Sequence, residues 1–446
     1  MPIILIHIIK KEMVKKFFAK SMAVVAIAVL AASCSGNEDF YDPGAAQTNT
    51  QDAAAKAKAD YAAEFVRQFG AVAPGHTWGF VAQNPVTTDI TRGTDPSANM
   101  WGDKYDVPSP LTSEQIAVVT EWFATHHNPQ GIAVNWCDFF AQQVSSTGYG
   151  RQMNHLTCGD NDEHIYNFND GDCAVNQQVW NGELANPADQ NSRVFYSDKV
   201  QLMLDVSTTR FGFDNSLDSR IYHNYVVIPG DLISPLVAGM YFLGFDFEAH
   251  GQDADKQVEP DGFYNDWIVR VTPCLYKDSQ RVIAEDLGAI GDFDFNDVVF
   301  DVRINYNEWW HDGDYAVVTL RAAGGRLPLT IGGVEVHEAF GVPTDVMVNT
   351  GAGSVSCPVA TFRLPASAVT SASANDIPVI VTNEGTAITL TTDPGAAPAK
   401  ICVPVTFRWA IERTNIKVAY PAFEAYVKDA SLTGWCYTPV AGTVVE

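Results

Sequence analysis

The stretch Gly291-Asp292-Phe293-Asp294-Phe295-Asn296-Asp297-Val298-Val299-Phe300-Asp301-Val302 sets four oxygen-bearing side chains, Asp292, Asp294, Asn296 and Asp297, within six residues. An apolar run too short for most helices follows directly. Oxygen donors at alternate positions, with no nitrogen or sulfur donor among them, suit a hard cation such as calcium. Three carboxylates this close repel one another unless something neutralises them. Local turn chemistry is the competing explanation, because Asp and Asn side chains bond their own backbone and Asn-Asp before a strand also makes a hairpin.

A weaker copy lies upstream, Asp261-Gly262-Phe263-Tyr264-Asn265-Asp266-Trp267-Ile268-Val269-Arg270-Val271. Setting Asn265-Asp266 on Asn296-Asp297 puts Tyr264 on Phe295 and keeps the apolar residues in step. Each copy follows a strand-like run that ends in carboxylates: Phe245-Asp246-Phe247-Glu248 before one, Glu285-Asp286-Leu287 before the other. A hairpin would carry Glu285 to Asp292, Asp294 and Asp297, which helps a cation that takes about six to eight oxygens. The expected calcium ligands are therefore Glu285, Asp292, Asp294 and Asp297, with Asn296 as ligand or turn-former. Glu248, Asp261 and Asp266 form a second, sparser set. The spacing opens like an EF-hand loop, but Asp297 stands where that loop needs Gly and Arg303 where it needs the bidentate Glu. A strand follows in place of a helix, so an EF-hand is excluded.

Outward from this segment, strands are expected at Val200–Val206, Tyr225–Ile228, Met240–Phe247, Trp267–Val271, Arg281–Ala284, Val298–Ile304, Tyr315–Ala322 and Thr406–Ile411. Short runs separated by Gly, Pro, Asn and Asp point to antiparallel, sandwich-like stacked sheets. Helical spacing is carried by Tyr61, Phe65 and Phe69, by Ile116, Val119, Trp122 and Phe123 behind a Thr112 or Ser113 cap, and by Ile416, Tyr420, Phe423 and Tyr426 or Val427. The fold class is mainly β with some α: a mixed α/β N-terminal domain over 59–193, then a β-rich domain over 194–446.

The N-terminus reads as a leader. Met13 is an alternative start to Met1; Lys15, Lys16 and Lys20 precede an apolar core from Met22 to Ala32 that is too short for a permanent membrane span. Ala31-Ala32-Ser33-Cys34 resembles a bacterial lipobox, so residues 1–33 are expected to be removed and Cys34 to carry lipid in the outer membrane. Residues 34–58 then form a flexible tether. Losing residues 1–33 removes five lysines and one glutamate and takes the net charge from −25 to −29. A surface this acidic repels phosphate backbones and excludes nucleic acid as a partner. Eight cysteines less Cys34 leave seven, an odd number; bridges such as Cys158–Cys173, or within Cys357, Cys402 and Cys436, are permitted but not specified.

Glu285-Asp286-Leu287 followed by GDFDFNDVVFDV resembles the signature of LruC-type domains, which occur in surface lipoproteins of Bacteroidota. The resemblance extends through Ala323-Gly324-Gly325, Gly333 to Gly341, Met347 to Gly351, Arg408-Trp409, Glu412, Asn415-Ile416 and Ala419-Tyr420-Pro421, covering about residues 195–446. Phe69-Gly70 and His76-Thr77-Trp78-Gly79-Phe80 are similar to a leader segment of such lipoproteins. The resemblance implies a β-rich, calcium-binding, cell-surface module without catalysis, and names no ligand.

Other chemistry is thinly supported. His155, Cys158, His164 and Cys173 fit no common zinc spacing. His337-Glu338 opens like HExxH, but Gly341 replaces the second His. No nucleophile elbow, Walker loop or dinucleotide fingerprint occurs. Trp309-Trp310 would suit sugar stacking, although core packing is the commoner use of such residues. The expectation is a non-enzymatic adhesion, structural or matrix module, with a glycan-binding or glycan-cleaving surface protein as the alternative; a surface glycan or protein would be its partner.

Overall fold

The computed structural model describes residues 43–79, 108–146, five strand segments between 155 and 203, and residues 221–250, 257–306 and 314–445, with gaps of one or two positions at 110, 133, 137–138, 259, 274, 289–290 and 352. The leader, Cys34 and Trp309-Trp310 lie outside them, as does most of the expected strand Val200–Val206, of which Leu202–Met203 is extended. Side chains of Glu248, His155, Cys158 and His164 are likewise outside the description, and Cys173 is outside it altogether.

Helix α1, Pro43–Phe69, starts well before the Tyr61 periodicity and takes in much of the expected tether, where Ala, Gln and Lys are strong helix formers. Helix α2, Ser113–Thr125, carries a reciprocal cap: Thr112 Oγ1 accepts from Gln115 N and Gln115 Oε1 from Thr112 N. It buries Val119 and Phe123 against the first sheet.

That sheet is antiparallel and built from β1 Phe139–Ser146, β2 Glu183–Asn186, β3 Asp189–Phe195, β4 Ile221–Pro229, β5 Tyr241–His250, β6 Gln257–Val258 and β7 Trp267–Pro273. Its order is β6-β5-β7-β1-β3-β2, with β4 also paired to β5. A five-stranded antiparallel sheet follows. Its strands are β8 Gln280–Ala284, β9 Val298–Asn305, β10 Tyr315–Ala322, β13 Ala360–Leu364 and β16 Lys400–Val403, in the order β13-β10-β9-β8-β16. A four-stranded sheet contains β11 Leu329–Ile331, β12 Val334–Glu335, β14 Val379–Asn383 and β15 Thr386–Thr389. Inward residues of these last two sheets, among them Val282, Phe300, Val318, Ile331, Val381 and Ile388, share one apolar cluster. The mainly β, antiparallel, stacked-sheet fold class therefore holds.

Tyr61, Phe65 and Phe69 of α1 sit in this same cluster with the late aromatics. A buried ionic group crosses the five-stranded sheet: Asp301 receives Arg281 Nε at 2.6 Å and Nη2 at 3.0 Å, and Arg321 Nε at 2.9 Å. Arg281 also donates to Phe407 O and lies over the Trp409 ring.

Two expectations fail locally. Thr406–Ile411 is not a strand; β16 ends at Val403 ahead of Pro404, and within 406–411 only Ala410 makes a bridge, to Val444. Its polar groups go elsewhere: Trp409 Nε1 donates to Asn349 O, and Tyr420 Oη to Arg408 O. The late helix is two short ones, α3 Ile416–Ala419 and α4 Phe423–Lys428. Pro421 cannot supply the helical N–H and drives Tyr420 out of the helical region, to φ −134° and ψ 85°. No disulfide joins Cys357, Cys402 or Cys436.

Candidate functional site

Strands β8 and β9 pair from Gln280↔Val302 to Ala284↔Val298, so Glu285 and Asp297 leave the ladder side by side. The intervening chain is shaped by carboxylates accepting backbone N–H groups. Glu285 Oε1 accepts from Phe295 N at 2.6 Å, Asp297 Oδ2 from Asp286 N at 2.6 Å, and Asp292 Oδ1 from Phe293 N at 3.1 Å. Asp294 Oδ1 accepts from Asn296 N at 3.3 Å, and its Oδ2 takes Arg413 N at 2.6 Å from far along the chain. Asp286 contributes too, accepting from Gly288 N and Arg326 N.

Alternation along the loop is kept by an unusual backbone. Phe293 and Phe295 adopt left-handed φ values of 47° and 55°, a conformation that costs a residue with a side chain about 1–2 kcal/mol. Both rings are fully buried: Phe293 meets Tyr61, Phe65 and Phe69 at centroid distances of 5.2, 5.6 and 5.4 Å, and Phe295 meets Phe423. Apolar burial of the two rings offsets the strain and turns Asp292, Asp294 and Asn296 away from them. Gln68 Nε2 of α1 adds a 2.7 Å bond to Gly291 O.

The electrostatics are unfavourable as they stand. Burial first, then the charges of Asp297, Asp294 and Asp292, push the Glu285 carboxyl well above its ordinary range. Asp297 keeps some accessible surface yet lies deep among protein atoms; burial, then Asp286 and Asp294, raise it strongly. Asp294 rises to about 7 through burial and then Asp292, while Asp292 is raised by burial. The expected set Glu285, Asp292, Asp294, Asn296 and Asp297 is thus gathered at one hairpin. Among the described residues no three His, Cys, Asp or Glu side chains stand as a ready-made metal-ligand group. A cation here would need neutral oxygens beside the carboxylates. One is at hand: Asn296 is fully buried, its Nδ2 donates to Ala410 O, and its Oδ1 has no hydrogen-bond partner. An all-oxygen donor set with a spare buried amide oxygen fits calcium.

The upstream copy is built differently. Its organiser is Asp246, whose two oxygens accept from Asp261 N at 3.1 Å and Gly262 N at 2.8 Å. Asp261 Oδ1 in turn accepts from Phe263 N, and Asp266 N bonds Phe245 O at the strand end. Burial raises the Asp246 carboxyl while those two N–H groups lower it. Asp246 thus organises this loop from two residues before Glu248 on the same strand, and the Glu248 side chain lies outside the description. The apparent HExxH start is structural: His337 Nδ1 faces Glu335 Oε1 and Nε2 faces Gly325 O, both at 3.1 Å.

No family model matches the chain, and no curated protein matches it. Among solved structures it is similar to a protein from Bacteroides ovatus classed provisionally as a lipoprotein, at 14% identity and a TM-score of 0.28, over 51% of this chain and 93% of that one.

Proposed function

We propose that this chain is a lipoprotein of the LruC type, anchored through Cys34 to the outer membrane and exposed at the cell surface. In this reading it is a non-catalytic adhesion, structural or matrix module that calcium stiffens at the Glu285–Asp297 hairpin. One observation carries the metal reading: Glu285 and Asp294 are buried and stand with Asp297 at one hairpin, and no ion pair to a basic side chain is seen for them among the described residues. Ionised carboxylates in such a place need neutralising by protons or by a cation. Arg413, whose charge lowers the Asp292 carboxyl, has a side chain that is 72% exposed. An affinity of about 10⁻⁴–10⁻³ M would be ordinary for an extracellular module. Calorimetric titration with calcium of the chain lacking residues 1–33, paired with thermal melts, tests the reading. Absence of both heat and a melting gain at millimolar calcium would remove it. The sparser Asp261 loop, already satisfied by Asp246, is expected to add little to the titration.

A second reading, glycan handling, is favoured by a cleft of about 640 Å³ whose lining includes Thr77, Ser373, Asp376, Thr391, Asp393 and Lys400. Hydroxyls, carboxylates and an amine interleave there in the way that suits a polyhydroxylated ligand. Burial lowers the Lys400 amine to about 8, and its Nζ donates to Ile377 O. Saturable binding on a glycan array, lost in Thr391→Ala and Asp393→Ala, would support this reading.

A further inference from the structure

Three buried oxygens without partners lie around one stretch of the C-terminal segment. Asn296 and Thr350 are completely buried, and neither Asn296 Oδ1 nor Thr350 Oγ1 has a hydrogen-bond partner; nor does Glu412 Oε2, on a side chain only 15% exposed. Native proteins pair the great majority of such atoms, so a cluster of exceptions calls for a missing group.

Backbone bonds show why the three belong together. Residues 410–416 wrap the hairpin: Ala410 O accepts from Asn296 Nδ2, Arg413 N donates to Asp294, and Ile416 N donates to Phe293 O. Glu412 N donates to Thr350 O at 2.9 Å. Asn296 Oδ1 and the Thr350 methyl flank the same glycine, Gly324, whose missing Cβ would lie inside contact with the first and 3.0 Å from the second. The Glu412 carboxyl is raised by burial and then by Asp292, lowered by Arg413, Arg326 and the Thr350 hydroxyl, and itself raises Asp294. The hydroxyl thus faces the carboxylate without reaching hydrogen-bond geometry. An amide oxygen, a hydroxyl and carboxylates, with no nitrogen or sulfur donor, are the ligand types of calcium rather than zinc.

We infer that Glu412, Asn296 and Thr350 supply ligands to a calcium centre shared with Asp292 and Asp294, so that the cation ties the C-terminal segment to the hairpin. This rests on the calcium reading of the hairpin and extends it to Thr350, more than fifty positions away, and Glu412, more than a hundred. It also gives Gly324 a function: a side chain there would occupy the space beside the Asn296 oxygen.

The test is calcium calorimetry on the chain lacking residues 1–33, alongside Glu412→Gln, Thr350→Val and Asp294→Asn, with melting in chelator as the stability control. The expected result is a tenfold or greater loss of calcium affinity in Glu412→Gln and a smaller loss in Thr350→Val. In chelator, Glu412→Gln should melt no lower than the parent, because it removes a charge that repels Asp292 and Asp294. Parent-like affinity in both Glu412→Gln and Thr350→Val, with affinity lost in Asp294→Asn, overturns the inference and leaves the hairpin reading intact. Absence of binding in the parent overturns both. Should Glu412→Gln fail to fold, the near-isosteric Thr350→Val decides alone.

Discussion

Replacing Phe293 separates packing from backbone strain at the acidic hairpin. The ring is fully buried against Tyr61, Phe65 and Phe69, so Phe293→Ala should cost about 3–5 kcal/mol, the range for truncating a buried Phe. At φ 47°, however, alanine keeps the left-handed penalty of about 1–2 kcal/mol that glycine escapes. Phe293→Gly should therefore be the more stable of the two variants by about 1 kcal/mol, the reverse of their order at most positions. Urea denaturation at fixed calcium measures the difference. Limited trypsin digestion offers a local readout, because loss of the ring loosens α1 and opens Lys56 and Arg67 to cleavage. An alanine variant as stable as the parent, or more stable than the glycine variant, would refute the claim that aromatic burial holds a strained loop in place.

Asp301→Asn should destabilise the five-stranded sheet by about 3–5 kcal/mol, since Arg281 keeps a buried charge with no full partner. The same change at Asp278, 47% exposed in its pair with Arg303, should cost less than about 1 kcal/mol; equal effects would contradict the burial argument. In chelator, stability should fall as pH rises from about 4 towards 7 and beyond. The hairpin carboxyls titrate higher when folded than unfolded, so the native state binds more protons and their contribution is lost as Asp294 ionises near 7. Calcium should flatten that slope, and parallel melts over the pH series with and without the ion would show it; a slope of opposite sign refutes the electrostatic account. Gly324→Ala should cost about 1–3 kcal/mol, because its methyl group would lie 2.9 Å from Asn296 O and 3.0 Å from Thr350 Cγ2; parent-like melting would refute the close packing.

Much of the β architecture was legible because strands announce themselves locally. The runs at 267–271, 281–284, 298–304 and 315–322 all became strands, and the Glu285 to Asp297 juxtaposition followed from the shortness of the hairpin. What escaped was what depends on distant chain. Thr350 and Glu412 come to the hairpin through tertiary packing; both lie in segments of the family resemblance, but local spacing gave neither a site role. Asp246 organises the upstream loop from a strand position that its spacing alone does not mark. Thr406–Ile411 has strand-like residues but spends its hydrogen bonds on isolated partners, while Pro421 was readable as a break in the late helix and was outweighed by the spacing around it.

The aromatic assembly joining early and late segments of the described residues has a consequence for synthesis. Phe65 and Trp78 pack on Phe423 and Tyr426, which in turn pack on Trp435, and His76 bonds Tyr426 O. The early partners emerge from the ribosome more than 340 residues before the late ones. At about 5–20 residues per second they wait on the order of tens of seconds for closure. Throughout that interval the nascent polypeptide lacks its keystone. Final locking is deferred until residues 423–435 have been made.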